Sequence, residues 1–367
     1  MTRVPENLRV LVAGGGTGGH LFPGIAVAEA IRDRAPESRI LFAGTRKPFE
    51  ARVTAAAGFE HTGLDVEGFS NRSLGNKAKA GAKFSVAMAR ALAATTRFRP
   101  HLVLGVGGYS SAPWVLAGGL LNISTAIQEQ NVHPGAASRL GARVAGRIYV
   151  SWPQSVRYFP GRETRLTGNP VRPSLLEQAR GQGEKPGVPF TVAVLGGSQG
   201  AAGINRAVGE CLAELAGPAE VRFIHQTGEA DHAAAATAMK DHPGGAEVAP
   251  FFQDMGRVYA QADLLVCRSG ATTMAEITAL GKAAILVPFP QAAENHQEKN
   301  ARFLEEAGAA RVILERDLAG PVLAGMIEEL KGDPGKIVEM EEKSRALGRP
   351  GAAAELAADL LEWIGEG

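Results

Sequence analysis

Cysteine is scarce in this sequence: Cys211 and Cys267 are the only two in 367 residues, and they show no paired spacing. That leaves no basis for a disulfide framework and predicts two reduced thiols in packed positions. Long apolar runs are also missing. None reaches the roughly 18 uninterrupted residues of a transmembrane helix, so no span is predicted. The opening "MTRVPENLRV" lacks the apolar core of a signal peptide, so the chain is expected to stay in the cytosol. No D-x-D pair occurs, which removes the obvious ligands for a metal clamp on a diphosphate. No recognisable nucleic-acid reader module is seen either. Acid is almost absent from one long interval: between Glu67 and Glu163 only Glu129 is acidic.

What is present is material for about two domains. The chain is 45% hydrophobic and 21% charged, enough for packed cores. The formal net charge of +1 hides a division. Residues 1–172 carry 22 basic and 10 acidic side chains, a balance of +12. The remainder carries 17 basic and 28 acidic, a balance of −11. The first half therefore suits a negatively charged partner.

Apolar β-type runs recur at "LRVLVAG" (8–14), "SRILFAG" (38–44), "HLVLGVG" (101–107), "STAIQEQ" (124–130) and "GRIYVS" (146–151), with helix-like stretches such as 23–34 and 83–97 between them. Continuous apolar strands separated by helices predict parallel sheet covered on both faces. The pattern breaks around 165–190, a stretch rich in Gly and Pro, and restarts at "FTVAVLGGSQGAAGINRAVGECL" (190–212). We read two doubly wound α/β domains in tandem, each opening on a Gly-rich loop. The boundaries are 1–172, a linker at 173–189, 190–348, and a C-terminal helix within 349–367. On that helix Ala353, Leu356, Leu360, Trp363 and Ile364 share one face, which also suits a helix packed on its own domain.

The first Gly-rich loop runs "AGGGTGGHLFPG" from Ala13, and a helix opening at Pro23 is expected to follow it. Gly14, Gly16 and Gly19 fit G-x-G-x-x-G between a strand and a helix, a backbone that can approach a phosphate. A NAD site would want an acid at the end of the second strand; here "RILFAGTRK" ends in Arg46 and Lys47, so an NADP enzyme stays open. The second half points elsewhere. In "ADLLVCRSGATTMAEITALG" (262–281), Ser269 to Thr273 open a helix and Glu276 sits one turn inside. Diphosphate on the N–H groups and a ribose diol on Glu276 would suit a nucleotide; a helix-start acid favoured by the dipole is the plain alternative. The amides of "VPFPQAAENHQEKNA" (287–301) could read sugar hydroxyls or form a solvated loop.

Taken together, "GGGTGGHLFPG", "GVGGYSSAP", "QEQN", "TGNPVR", "LGGSQGA", "CRSGATTMAE" and "PFPQAAENHQEKNA" resemble, in this order, the MurG family of bacterial glycosyltransferases. The resemblance implies a two-domain GT-B fold with the active site in the cleft. It implies inverting transfer of N-acetylglucosamine from UDP-GlcNAc to undecaprenyl-pyrophosphoryl-MurNAc-pentapeptide, in peptidoglycan synthesis. No cofactor and no metal are implied, and the C-terminal helix is expected to cross back onto the first domain. By motif, Thr17, Gly18, Gly19, Asn131, Arg172, Ser198, Phe252 (through its backbone), Ala271, Thr272, Thr273, Met274, Ala275, Glu276 and Gln297 resemble donor contacts. Gly16, His20, Gly107, Gly108 and Tyr109 are expected on the acceptor side. Many members carry His before "EQN"; this chain has Gln128.

The acid-poor interval adds a membrane reading. In "FSNRSLGNKAKAGAKFSVAMARALAA" the cations Lys77, Lys79 and Lys83 mix with Phe84 and Met88, as on helices that lie on an anionic membrane surface. Nucleic acid is the rival partner, disfavoured for want of a reader module, and a solvated basic face is the bland one. The expected location is the cytoplasmic face of the plasma membrane, as a peripheral protein. Inverting transfer needs a base for the acceptor hydroxyl. His20 is the first candidate, since imidazole titrates near neutral pH. A diphosphate role for His20, with Glu129 as the base, stays open, as do a UDP-GlcNAc 2-epimerase of the same fold and a non-catalytic nucleotide-binding scaffold.

Overall fold

The computed structural model describes residues 5–66, 74–181, 189–197 and 200–366, with side chains of the helix at 74–98 described from Gly81 onward, residue 82 excepted. The chain divides into two compact units: Met1–Arg172 together with Gly351–Gly367, and Pro173–Pro350.

The first unit is built on seven parallel strands: β1 (Arg9–Ala13), β2 (Arg39–Thr45), β3 (Glu60–Leu64), β4 (Leu102–Gly105), β5 (Ser124–Glu129), β6 (Arg147–Val150) and β7 (Thr164–Leu166). Their order in the sheet is β3-β2-β1-β4-β5-β6-β7, with Val12 in register with Phe42 on one side and Leu104 on the other. Val10 to Ala13 and Leu102 to Gly105 are wholly buried, as sheet strands covered on both faces should be. The helices between them are α1 (Gly18–Arg34), α2 (Pro48–Ala56), α3 (Leu74–Phe98), α4 (Ser111–Leu120) and α5 (Ala136–Gly141).

Helix α1 does not open at Pro23. It starts at Gly18, where the His20 and Leu21 N–H groups already fold back on the Thr17 carbonyl at 3.3 Å. Pro23 has no N–H to give, but in these first turns that costs little of the helix ladder. The consequence for the site is direct: His20 belongs to the first helical turn and not to the end of a loop.

The second unit repeats the plan with β8 (Phe190–Leu195), β9 (Val221–Gln226), β10 (Ala246–Ala249), β11 (Leu264–Cys267), β12 (Ala284–Leu286) and β13 (Ala310–Val312), ordered β10-β9-β8-β11-β12-β13 and parallel throughout. Its helices are α6 (Pro173–Gly181), α7 (Ala202–Cys211), α8 (His232–Met239), α9 (Met255–Gln261), α10 (Ala271–Leu280), α11 (His296–Glu306), α12 (Gly320–Lys331) and α13 (Pro334–Leu347). Helix α6 corrects the linker reading for residues 173–181. Leu175 and Leu176 are buried, and the helix packs on α9. Residues 182–188 lie outside the described residues. Both cysteines are buried and unpaired, and burial pushes each thiol up to about 12.

The last helix, α14 (Ala352–Gly365), packs on α1 in the first unit, with Ala353, Leu356 and Leu360 buried. Its polar anchor is Asp359. Tyr149 donates its hydroxyl to Asp359 at 2.5 Å, Arg147 donates at 3.0 Å, and Arg165 pairs with the other oxygen. Arg147 is thus a cation in a buried strand whose charge is met by a partner far along the chain.

Candidate functional site

In each sheet the strand order reverses beside the first strand, β1 next to β4 and β8 next to β11. Ligands of doubly wound sheets bind beyond the carboxyl ends of the strands at such a switch point. Four of the motifs singled out in the sequence follow those four strands: "GGGTGGHLFPG", "GVGGYSSAP", "LGGSQGA" and "CRSGATTMAE".

In the first unit, β1 leads into Gly14–Gly19 and β4 into Gly107–Tyr109. Gly107 and Gly108 have φ of +89° and +78°, which non-glycine residues adopt only at a cost. The space is as restrictive as the angle. A Cβ on Gly107 would stand 2.8 Å from His20 Cδ2, and one on Gly108 would stand 3.2 Å from His20 Nδ1. The imidazole is therefore seated on a floor of bare backbone, and Thr17 Oγ1 meets its Nδ1 at 3.2 Å. When Nδ1 carries the proton and donates it to Thr17, Nε2 presents the lone pair. Tyr109 lies against Gly16, and Gln130 donates to the Val106 carbonyl at 2.5 Å, which fixes the turn from beneath.

Glu129 has a different environment. It is 1% exposed. One oxygen accepts the Asn131 backbone N–H at 2.8 Å and the Asn131 side chain at 3.1 Å, and the other accepts the Gly135 N–H at 3.1 Å. Burial pushes its carboxyl upward, opposed by these bonds and by one from Ser138. Such a carboxylate holds the 131–135 loop and the start of α5; it is poorly placed to take a proton from a substrate. Gln128 is fully buried and donates to Ser151 at 3.2 Å and Asn169 at 3.3 Å. Arg172 lies 4.7 Å over the Phe22 ring, near Glu29.

In the second unit, α10 begins after Gly270, and its ladder opens with Met274 N–H on the Gly270 carbonyl at 3.0 Å. Ala271 to Ala275 form the first turns, and the N–H groups of that start carry the positive end of the helix. Glu276 follows, half-buried, and accepts the Tyr259 hydroxyl at 2.7 Å. Gln297 is held from two sides: Phe289 N–H donates to its side-chain oxygen at 3.0 Å, and Ser269 donates to its carbonyl at 2.8 Å. The side-chain oxygen is thereby engaged, and the NH2 is the group this side chain keeps for donation. The Phe252 N–H is already given to Gln226 at 3.0 Å, so its carbonyl is what this backbone can offer. Ser198 lies outside the described residues.

Sequence reasoning missed Tyr259. It lies 17 residues before Glu276, in an ordinary apolar helix, and no local pattern marks it. Among the described residues no group of three or more His, Cys, Asp or Glu is placed to hold a metal ion, and no helix is long and apolar enough to cross a membrane. On α3, Lys83 is exposed and Phe84 partly so, while Met88 turns inward onto the cluster around Trp114. Met88 is thus partly buried and shared between that packing and the surface. The side chains of Lys77 and Lys79 lie outside those described.

Two Rossmann-like units, each with a Gly-rich turn or helix start at its switch point, define a two-domain, doubly wound α/β protein. Residues 10–150 match the glycosyltransferase family 28 N-terminal domain and residues 191–356 the family 28 C-terminal domain. The chain belongs to glycosyltransferase family 28. It is 43% identical over 366 residues to the UDP-N-acetylglucosamine–N-acetylmuramyl-(pentapeptide) pyrophosphoryl-undecaprenol N-acetylglucosamine transferase of Thermodesulfovibrio yellowstonii, covering 96% of this chain and 99% of that protein. The enzyme of the same name from Syntrophus aciditrophicus is 42% identical over 358 residues, covering 97% and 99%. Among solved structures, the Acinetobacter baumannii MurG superposes with a TM-score of 0.78 at 29% identity, covering 97% and 99%. A UDP-GlcNAc 2-epimerase from Neisseria meningitidis shares the fold, with a TM-score of 0.68 at 13% identity and covering 96% of this chain and all of that one.

Proposed function

We propose that this chain is the N-acetylglucosaminyltransferase that moves GlcNAc from UDP-GlcNAc to the C4 hydroxyl of MurNAc in undecaprenyl-pyrophosphoryl-MurNAc-pentapeptide. Near full-length identity to transferases of that name supports the substrates. The observation that carries the chemistry is the seat of His20, an imidazole held by Thr17 over the bare Gly107–Gly108 turn.

The reaction is a single displacement. The acceptor oxygen forms a bond to the anomeric carbon while the bond from that carbon to the diphosphate oxygen breaks, so the configuration inverts. His20 Nε2 takes the hydroxyl proton as the nucleophile develops. The departing UDP gathers negative charge, and the N–H groups at the start of α10 are fixed dipoles of the kind that offset such charge. Glu276, steadied by Tyr259, accepts the ribose hydroxyls, and the Gln297 amide takes a sugar hydroxyl.

The acceptor is a membrane lipid, and the enzyme meets it at the cytoplasmic face as a peripheral protein. The +12 balance of residues 1–172 and the exposed Lys83 on α3 suit an anionic surface. Transfer of labelled GlcNAc to a short-chain lipid I analogue tests the reading. Absence of transfer, with UDP-GlcNAc bound, would leave a nucleotide-sugar binder and overturn it.

A further inference from the structure

Glu50 carries the further inference. It is the third residue of α2 and has no exposed surface. One carboxylate oxygen accepts the Gly16 N–H at 2.7 Å and the Thr45 hydroxyl at 2.5 Å; the other accepts the Thr45 N–H at 2.8 Å, with His61 Nε2 at 3.6 Å. Burial alone would raise its carboxyl, but the neighbouring His61 ring and the bonds from Thr45 and Gly16 outweigh burial and hold it below the usual carboxylate range. It is an ion behind a loop whose composition speaks of anion binding.

A carboxylate there would repel a phosphate, so attraction is not what it supplies. The glycines explain what it does. A Cβ on Gly15 would lie 2.3 Å from Glu50 Oε2, and one on Gly44 would lie 2.1 Å from the same atom. Both glycines make room for the carboxylate. Gly16 has φ +91°, and its N–H is given to Glu50, inward from the loop. Its carbonyl accepts Lys47 Nζ at 3.3 Å, so the start of α2 grips Gly16 at both ends. One residue later comes Thr17, which holds His20.

We propose that Glu50 is a positioning residue of the transfer reaction, fixing the Gly14–Thr17 loop from behind and through it the place of His20. This rests on the proposed transfer, with His20 taking the proton and Gly16 on the acceptor side. The glycine run then splits into two parts. Gly15 and Gly16 serve the buried carboxylate, while Gly18 and Gly19 remain for the ligand side.

Glu50→Gln keeps the shape but turns an NH2 toward donors. Steady-state transfer in the full chain, with each substrate varied in turn, should show kcat/KM for the lipid analogue about a hundredfold lower, the scale of a 1 Å misplacement. The loss should lie in kcat and in acceptor KM, with the KM for UDP-GlcNAc within about twofold. Hydrogen exchange at the Gly16 amide should quicken. Gly15→Ala, which presses on the same carboxylate from the loop side, should give the same split and stands in if Glu50→Gln does not fold. Unchanged acceptor kinetics per folded molecule, or equal loss on both substrates, would overturn the proposal. Failure of the unaltered enzyme to transfer GlcNAc would instead sink the functional reading and this inference with it.

Discussion

Replacing Tyr259 with Phe removes one oxygen and nothing else, and what it does to donor binding follows from a single contact. The hydroxyl is buried with its ring, which is 1% exposed, and it donates to Glu276 at 2.7 Å. Hydrogen bonds to a charged group are worth about 1.5–3 kcal/mol. Glu276 is only half-buried, so water can replace part of the lost bond, and the lower end applies. About 1.5 kcal/mol corresponds to roughly tenfold in Kd. The fold should tolerate the change, because the ring keeps its packing. Titration calorimetry with UDP-GlcNAc should therefore show Kd rising about tenfold in Tyr259→Phe and by more in Glu276→Ala. Because Tyr259 acts through Glu276, adding Tyr259→Phe to Glu276→Ala should change nothing further. An unaltered Kd in Tyr259→Phe, or additive effects in the double variant, would refute the reasoning that Tyr259 aims the carboxylate.

His20→Ala should lower kcat by about 10²–10⁴ in single-turnover transfer assays while UDP-GlcNAc affinity holds; lost donor affinity at near-normal kcat would assign His20 to the diphosphate instead. Vesicles containing anionic lipid should bind the protein and release it with salt, and reversing Lys77, Lys79 and Lys83 to Glu should weaken flotation roughly a hundredfold, at about 1 kcal/mol per basic residue; equal binding to neutral vesicles would contradict this. His225 is buried with its Nε2 on Asn205 at 2.9 Å, and burial drives its imidazole down to about 4. Unfolded, it takes a proton below about 6.5, so between pH 6.5 and 4 the unfolded chain holds more protons. Stability is then complete above that window and falls by up to about 3 kcal/mol as the pH drops through it. Denaturant melts of His225→Gln against the unaltered protein should show a flatter acid limb.

The central strands were legible because they are apolar from end to end. "RVLVA" and "LLVC" can sit nowhere but between other strands. The edge strands were not: β3 reads "EHTGL" and β7 "TRL", short and polar, as strands with one open side tend to be. Glycine misled at α1, where bare residues read as loop although the helix had begun, and again at α6, where two buried leucines turn a supposed linker into structure. The residues proposed to meet the ligands stand in compact motifs, which is why they could be nominated from the sequence. Their supports could not. Glu50 reaches Gly16 across 34 residues, through the pairing of β1 with β2, and Tyr259 reaches Glu276 from a separate helix. Only the order of strands brings such pairs together, and no spacing in the chain encodes it.

The return of α14 to the first unit has a consequence for biosynthesis. The ribosome makes the first seven strands early, yet the helix that covers α1 and supplies Asp359 to Arg147 arrives only after Pro173–Pro350 have been made. At about 5–20 residues per second that delay is roughly nine to thirty-six seconds. Throughout it, the nascent first unit carries an uncovered apolar helix face and a buried-strand arginine whose one acidic neighbour is the half-exposed Glu163, at 3.4 Å. Premature termination anywhere in the second unit would make that condition permanent.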